Sequence, residues 1–342
     1  MAVLFFGNFS AGLVAYYTSQ GWAMSTSSLT STALAQHKTP NGIGSTYAIN
    51  LNNTGVVTSP SISGTPRFFH YYIKPQNPGT WNDESILFRA AGGVTASMSL
   101  RATGFIQVSR GTSTTHTSNT LLATSATTIN RAVGHWVAVE LDAQDAGGTF
   151  TVWVDDVQMV TFAGDTKGSA TTAGWSQFDP KQGPTDDNCY ITDIIVTDNT
   201  TGRLSEQYAQ TLSPDSVDSG NLVGSPVTGA SRYQNIDEIP TSQTDYNYAQ
   251  AVNDEDLYGF GNVPTAFASI STVEIEAQAI AAGVITQGEI SYKGTGATSY
   301  GTANPIGASY EVWARILDTD PDTAAAWTGT AINAALFGVR FS

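Results

Sequence analysis

Two glutamates, Glu274 and Glu276, stand one residue apart in a stretch that alternates apolar and polar side chains. On a β-strand that spacing puts both carboxylates on one face, about 7 Å apart. Paired carboxylates are what glycoside hydrolysis needs, one to protonate the leaving oxygen and one to attack or to activate water. Glucanase arrangements such as Glu-x-Asp-x-x-Glu require a further acid, and none follows Glu276 at the right distance. The pair reads as the solvated face of a strand, and no catalytic residue is assigned.

A second set of carboxylates, Asp142, Asp145, Asp155, Asp156, Asp165, Asp186 and Asp187, falls at strand ends and turns. Hard cations take carboxylate and carbonyl oxygens at such places, but this spacing matches no calcium loop, and aspartate is also an ordinary turn residue. A structural Ca²⁺ is left open, no metal ligand is named, and no other cofactor is expected. The four histidines (His37, His70, His116 and His135) are scattered and have no cysteine partners, unlike zinc ligands. His135, beside Trp136, reads as a packed strand histidine. A Gly-x-Ser-x-Gly elbow, a Gly-x-Gly-x-x-Gly turn and a Walker loop are all missing from the sequence. The single cysteine, Cys189, can form no intrachain disulfide and reads as a buried, inert thiol at a strand start.

Aromatic rings are the remaining candidates, because pyranose faces stack on exposed tryptophan and tyrosine. Trp22, Trp81 and Trp175 fall on loops, and Trp153 points opposite to Phe150, Val152 and Val154. All four read as core or subunit-contact residues. Tyr246, Tyr248 and Tyr258 lie near several acids and suit a protein interface as well as a ligand.

The elements that would carry these residues are strands. Short alternating apolar runs separated by Gly, Asn, Asp and Pro turns extend nearly from end to end. They include Phe68–Lys74, Ser85–Arg89, Ser97–Ala102, Phe105–Ser109, His135–Asp142, Thr149–Asp155 and Tyr190–Val196. The turn at 145–148 between two alternating strands is a strong hairpin signal. Residues 204–229 are rich in Ser, Asp, Gly, Thr and Pro and read as a linker or arm. A second strand-rich unit follows, with Ala266–Ile280, Thr286–Lys293, Tyr310–Asp318 and a terminal strand over Ile332–Phe341. That last strand completes its own sheet or pairs with a neighbouring subunit. Removing Ile332–Ser342 is expected to abolish oligomerisation or attachment while the first domain still folds.

Composition agrees with that pattern. Charged residues make up 13% of 342 residues and hydrophobic residues 41%, so the surface is built largely from Thr, Ser, Asn, Gln and Gly. Twenty-nine acids against fourteen bases give a net charge of −15. The chain lacks the basic clusters that bind nucleic acid phosphates, and an anionic membrane surface is disfavoured for the same reason. The N-terminus shows no export-signal pattern, and no run of 18 apolar residues exists.

The stretches His135-Trp136-Val137-Ala138-Val139-Glu140-Leu141 and Phe150-Thr151-Val152-Trp153-Val154-Asp155-Asp156 resemble laminin-G-like or concanavalin-A-like jelly rolls. Those domains have a Trp-led strand, a Gly-rich turn and a strand ending in Val-Asp-Gly, and Asp156 stands where the glycine would be. Asp193 to Gly202 is similar to the closing strand and turn of such domains in phage proteins. Residues from Phe5 to Trp22 resemble their Asp-Gly-Phe-Asp opening but lack both aspartates. In the second half, Asp245-Tyr246-Asn247-Tyr248, Asp254-Glu255-Asp256-Leu257-Tyr258 and Asp320-Pro321-Asp322-Thr323 through Trp327-Thr328, Asn333 and Phe337-Gly338-Val339 resemble tailed-phage virion structural proteins.

The expected fold class is all-β: a jelly-roll sandwich over 1–203, a linker or arm over 204–229, and a smaller β-sandwich over 230–342 for attachment or oligomerisation. The resemblance implies a virion protein, assembled in the host cytoplasm, that decorates the head or tail. Its partners would be capsid or tail proteins, with copies of itself in a homo-oligomer (a trimer first) and weak binding of host glycan. The alternative is a receptor-binding tail fibre or spike component recognising host carbohydrate. A polysaccharide depolymerase ranks last, and the chain is expected not to be an enzyme.

Overall fold

The computed structural model describes residues 3–7, 22–23, 29–30, 48–50, 57–75, 83–114, 116–168, 171–182, 189–200, 202–205, 212–237, 244–263, 270–281, 283 and 285–342. The chain divides into two compact units, Met1–Gln210 and Thr211–Ser342. Both are built from antiparallel strands, so the protein is all-β.

The strands of the first unit are β1 (Val3–Gly7), β2 (Leu29–Thr30), β3 (Ala48–Asn50), β4 (Phe68–Pro75), β5 (Glu84–Ala90), β6 (Gly93–Leu100), β7 (Ile106–Arg110), β8 (Thr120–Thr124), β9 (His135–Asp142), β10 (Gly148–Val154), β11 (Val157–Gly164), β12 (Gln177–Gln182) and β13 (Cys189–Thr197). An eight-stranded sheet runs β11-β10-β9-β4-β13-β3-β2, with β1 also on β13, and a five-stranded sheet runs β12-β5-β6-β7-β8. Period-two alternation gives each sheet an apolar inner face. Phe69 of β4 lies 4.5 Å from Phe178 and 5.7 Å from Phe88, both on the five-stranded sheet, and Phe88 meets Phe150 of β10 at 6.1 Å. Trp175 packs 5.0 Å from Phe88, and Trp22 lies 5.7 Å from Phe178. Such ring pairs each add about 0.5–1.5 kcal/mol beyond simple area burial. These contacts make the unit a two-sheet sandwich of jelly-roll type.

The Val-Asp-Asp hairpin has a local explanation. Asp155 and Asp156 form the two-residue turn joining β10 to β11, at φ 48° and 64°. Aspartate tolerates that left-handed region better than most side chains, so it can stand where glycine is usual.

Part of the outer face of the eight-stranded sheet is covered as well. Leu204 is buried against Tyr72, Trp136 and Ile195, and its amide donates to His70 Nε2 at 3.0 Å. Residue 204 therefore packs as part of the first unit and is not the start of a linker.

Among the described residues of the second unit, β14 (Pro214–Gly220), β15 (Val223–Ser225), β16 (Tyr246–Tyr248), β17 (Glu255–Phe260), β18 (Val273–Ala279), β19 (Gln287–Lys293), β20 (Ser299–Tyr300), β21 (Asn304–Pro305), β22 (Glu311–Leu317) and β23 (Leu336–Phe341) accompany a 3-10 helix, Gly229–Asn235, and a short α-helix, α1 (Gly329–Ala334). The main sheet runs β14-β17-β23-β19-β20, with β21 on β19. Two-stranded pairs β15-β16 and β18-β22 complete the unit. Val273, Ile275 and Ala277 pack inward against Tyr292, Trp327, Ile290 and Trp313. At Gly288 the backbone passes so close to Trp313 that an added Cβ would lie 2.2 Å from the ring.

Two expectations are corrected here. The 204–229 segment is not an arm: β14 pairs with β17 and β15 with β16. It reads as a loop because β14 is a mostly exposed edge strand, which needs few bulky residues. The final segment is likewise not one strand. Ile332 belongs to α1, capped by the Thr328 side chain, and β23 alone lies between β17 and β19 of its own sheet.

Candidate functional site

The alternation that buries Ile86, Phe88, Met98 and Phe178 sends their neighbours to the outer face of the five-stranded sheet. Strand register lines these up in two rows. One is Lys181-Ser85-Ser99-Gln107-Thr124, and the other is Asp179-Leu87-Ser97-Ser109-Leu121, with Arg89 beyond Leu87. The middle of the face is a floor of small hydroxyls, and charged and amide side chains stand toward its rim.

That floor lies beneath the connection between β7 and β8. Asn119 Nδ2 donates to Ser97 Oγ at 3.3 Å and to Ser113 O at 3.1 Å. Lys181 Nζ reaches across from the opposite edge strand to Thr114 O at 2.9 Å. Gly111 opens the loop at φ 147° with no room for a side chain, because a Cβ would meet Asn119. Ser97, Ser99 and Ser109 are consequently buried, while Lys181, Thr124 and Leu121 are exposed.

Two buried oxygen atoms on this face lack a hydrogen-bond partner among the described residues: Ser99 Oγ, and Asp179 Oδ1 on the edge strand β12, whose carboxylate is otherwise held by Arg89 and Thr58. Asp179 is ion-paired through Oδ2 to Arg89. Burial pushes its carboxyl above the ordinary range, and Arg89 pulls the other way. Left unpaired, a buried polar atom costs about 1–3 kcal/mol. Ser99 and Asp179 are therefore the places where a hydroxyl-bearing ligand would gain most. Sequence reading found these strands but not the face; the visible signal was the Ser97/Ser99 alternation inside an otherwise apolar strand.

Asp142, Asp145, Asp156 and Asp165 are each bound to a cation, namely Arg67, Lys167, Arg203 and Arg110. Asp155 pairs with His135 Nδ1 at 2.8 Å and accepts the Trp136 amide. Asp186 and Asp187 lie outside the described residues. No group of three His, Cys, Asp or Glu side chains that could hold a metal ion occurs among the described residues.

His135 Nε2 bonds Asn130 O at 2.7 Å, so both ring nitrogens are engaged and neither faces a nucleophile. His70 is fully buried, accepting the Leu204 amide and donating from Nδ1 to Ile195 O; burial lowers its pKa to about 4. His37 and Trp81, like the His116 side chain, lie outside the described residues. Cys189 is buried, and burial pushes its thiol up, away from nucleophilic character.

Trp22 and Trp175 are core residues of the sandwich, and Trp153 carries the Arg203 guanidinium 5.3 Å above its ring. Glu274 and Glu276 share one face of β18, opposite Ile316 and Ala314, but only Glu276 is exposed, and Glu274 Oε2 is buried, unlike the solvated face expected from the sequence. Burial and the neighbouring Glu276 charge push the Glu274 carboxyl up. The motif aspartates are structural. Asp256 takes both arms of Arg232 (2.5 Å each) together with the Tyr258 hydroxyl. Asp320 accepts from Tyr292, Thr323 and the Asp322 amide.

No family model and no curated protein matches the sequence. Solved structures do resemble it. A carbohydrate binding module from Bacillus subtilis is 11% identical, with 52% of this chain and 96% of that one covered and a TM-score of 0.35. A Caenorhabditis elegans galectin is 8% identical over 52% and 100%, TM-score 0.29. A carbohydrate esterase from the Shiga toxin-encoding bacteriophage phi24B is 13% identical over 57% and 97%, TM-score 0.40. These are likenesses of fold alone.

An alginate lyase (12% identical, TM-score 0.37) and a glucuronan lyase from the fungus Trichoderma reesei (12%, 0.36) are similar in the same way. The expectation that the chain is not an enzyme is corrected by these findings. Enzymes stand beside a binding module and a galectin among the structures it resembles.

Proposed function

We propose that this chain is a surface protein of a tailed-phage particle. In this reading the first unit engages host carbohydrate through the outer face of its five-stranded sheet. The observation that carries the glycan reading is the hydroxyl floor beneath the β7–β8 loop, with Ser99 Oγ unpartnered, and with Asp179 Oδ1 (also unpartnered), Arg89, Gln107 and Lys181 toward its rim. Saccharides present many hydroxyls that both donate and accept, and a mixed set of Ser, Asp, Arg, Gln and Lys answers them in both directions. A sugar reaching the floor displaces the loop, breaking the Lys181–Thr114 and Asn119–Ser97 hydrogen bonds. The phage assignment rests on the sequence pattern of the second half. Several copies on one particle would raise a weak affinity by avidity.

The test is a glycan array probed with the full chain and with Ser99→Trp, which fills the floor. Wild-type signal on at least one glycan that is lost in the variant, with circular dichroism unchanged, is the expected result. Equal signal from both proteins moves glycan recognition away from this face. Cryo-electron microscopy of particles carrying the protein tests the location, and particles without its density would remove the virion reading.

A further inference from the structure

The second unit carries a separate aromatic surface. Tyr246 and Tyr248 of β16 are 51% and 40% exposed, with ring centroids 6.2 Å apart and planes inclined at 57°. The sequence grouped them with Tyr258, but the structure separates the three. Tyr258 is buried and hydrogen-bonded to Asp256 and Asn247, whereas the other two rings face outward. Thr244 and Gln250, at the same period along the chain, are exposed too. Register places Ser225 opposite Tyr246 and Val223 opposite Tyr248, so these side chains share the face.

The rings are mounted rigidly. Asn247, between them, points inward and is held on three sides: Nδ2 donates to Arg232 O (3.1 Å) and Tyr258 Oη (2.9 Å), and Oδ1 accepts from Asn235 Nδ2 (2.9 Å). Opposite it, Gly224 lies so close to Val227 O and Asn235 that no side chain fits. Arg232 is in turn locked on Asp256. A short two-stranded ribbon is marginal by itself, and here a buried polar network fixes its inner side. The two outer rings keep about half of their surface open to solvent.

We propose that this strip is a stacking platform for an uncharged saccharide chain, a second glycan site independent of the face on the first unit. Adjacent aromatic rings flanked by hydroxyl and amide groups present stacking and hydrogen bonding together, as sugars require. The face positions Val223, Ser225, Thr244, Tyr246, Tyr248 and Gln250 carry no charge, and a net charge of −15 repels acidic polymers. The strip is narrow, two rings framed by small polar groups, whereas a stable protein interface needs about 800 Å² from each partner.

The test uses the full chain, Tyr246→Ala/Tyr248→Ala, and Gln107→Ala/Lys181→Ala on the first unit. Each is titrated by calorimetry with cellohexaose, maltohexaose, chitohexaose and an acidic hexagalacturonate. The expected result is binding of a neutral hexasaccharide that falls about tenfold or more without the two rings and is unchanged in the first-unit variant. Failure of every neutral probe, stronger binding of hexagalacturonate, or affinity that survives loss of both rings would overturn the proposal. So would a tyrosine-dependent change in sedimentation of the chain alone, which would assign the rings to a second copy. Loss of binding only in the first-unit variant would reject this site and leave the earlier reading standing.

Discussion

His70 and Glu84 are buried titratable residues of the first unit, and their effects on stability run in opposite directions. His70 is held neutral, with a folded pKa of about 4 against 6.5. As pH falls below 6.5 the unfolded chain takes up this proton first, so stability that is fully present above 6.5 is lost down to about 4. Glu84, bonded at 2.5 Å to Arg131 but poorly hydrated, has its carboxyl raised to about 7 from 4.5. The folded chain keeps that proton longer, so its contribution is greatest below 4.5 and declines as pH rises through 7. Each shift corresponds to roughly 3 kcal/mol, and in the wild type the two slopes oppose each other between about pH 4.5 and 6.5. The stability difference between wild type and His70→Gln, measured by urea unfolding, should therefore shrink by about that amount from pH 7 to pH 4. A difference independent of pH would show that His70 is not held neutral. Little of this was visible in the sequence: His70 sits in an apolar run, and nothing local shows that the Leu204 amide comes back to meet it.

At the scale of elements, legibility followed burial pattern. Strands β9 and β10 were readable because one face is consistently apolar and a Gly-rich turn joins them. Strand β14 was not, since an exposed edge strand of Pro, Asp, Ser and Gly has no apolar signature. The candidate face was half legible, its strands visible but not the loop that crosses from β7 to reach Lys181, because such contacts depend on which strands become neighbours. The position of β23 alters what a truncation means. It pairs with β17 on one side and β19 on the other, and Phe337 packs against Tyr292 and Phe260. Deleting Leu336–Ser342 is therefore expected to unfold the second unit, making 212–334 protease-sensitive while 57–197 stays resistant. Mass spectrometry of limited digests reads this directly, and continued resistance of 212–334 would show that β23 is dispensable to its sheet.

At the scale of the whole molecule, charge and strand connectivity act together. A net charge of −15 with few bases makes copies of the chain repel one another. Raising sodium chloride from about 0.01 M to 0.15 M shortens the screening length from about 30 Å to 8 Å. Self-association followed by sedimentation velocity should strengthen over that range. Association that weakens with salt would instead point to attractive ion pairs between copies. Connectivity sets a different quantity, time. Strand β1 finds its partner in β13, Val3 opposite Thr197, and β4 is seated between β9 and β13. Ring closures that long give little return until most of the sandwich is in place, which is the signature of slow-folding β proteins. Newly made first units therefore pass through an interval, milliseconds to seconds long, in which apolar strands are uncovered. Yield at high synthesis rates is then set by how crowded the chains are during that interval.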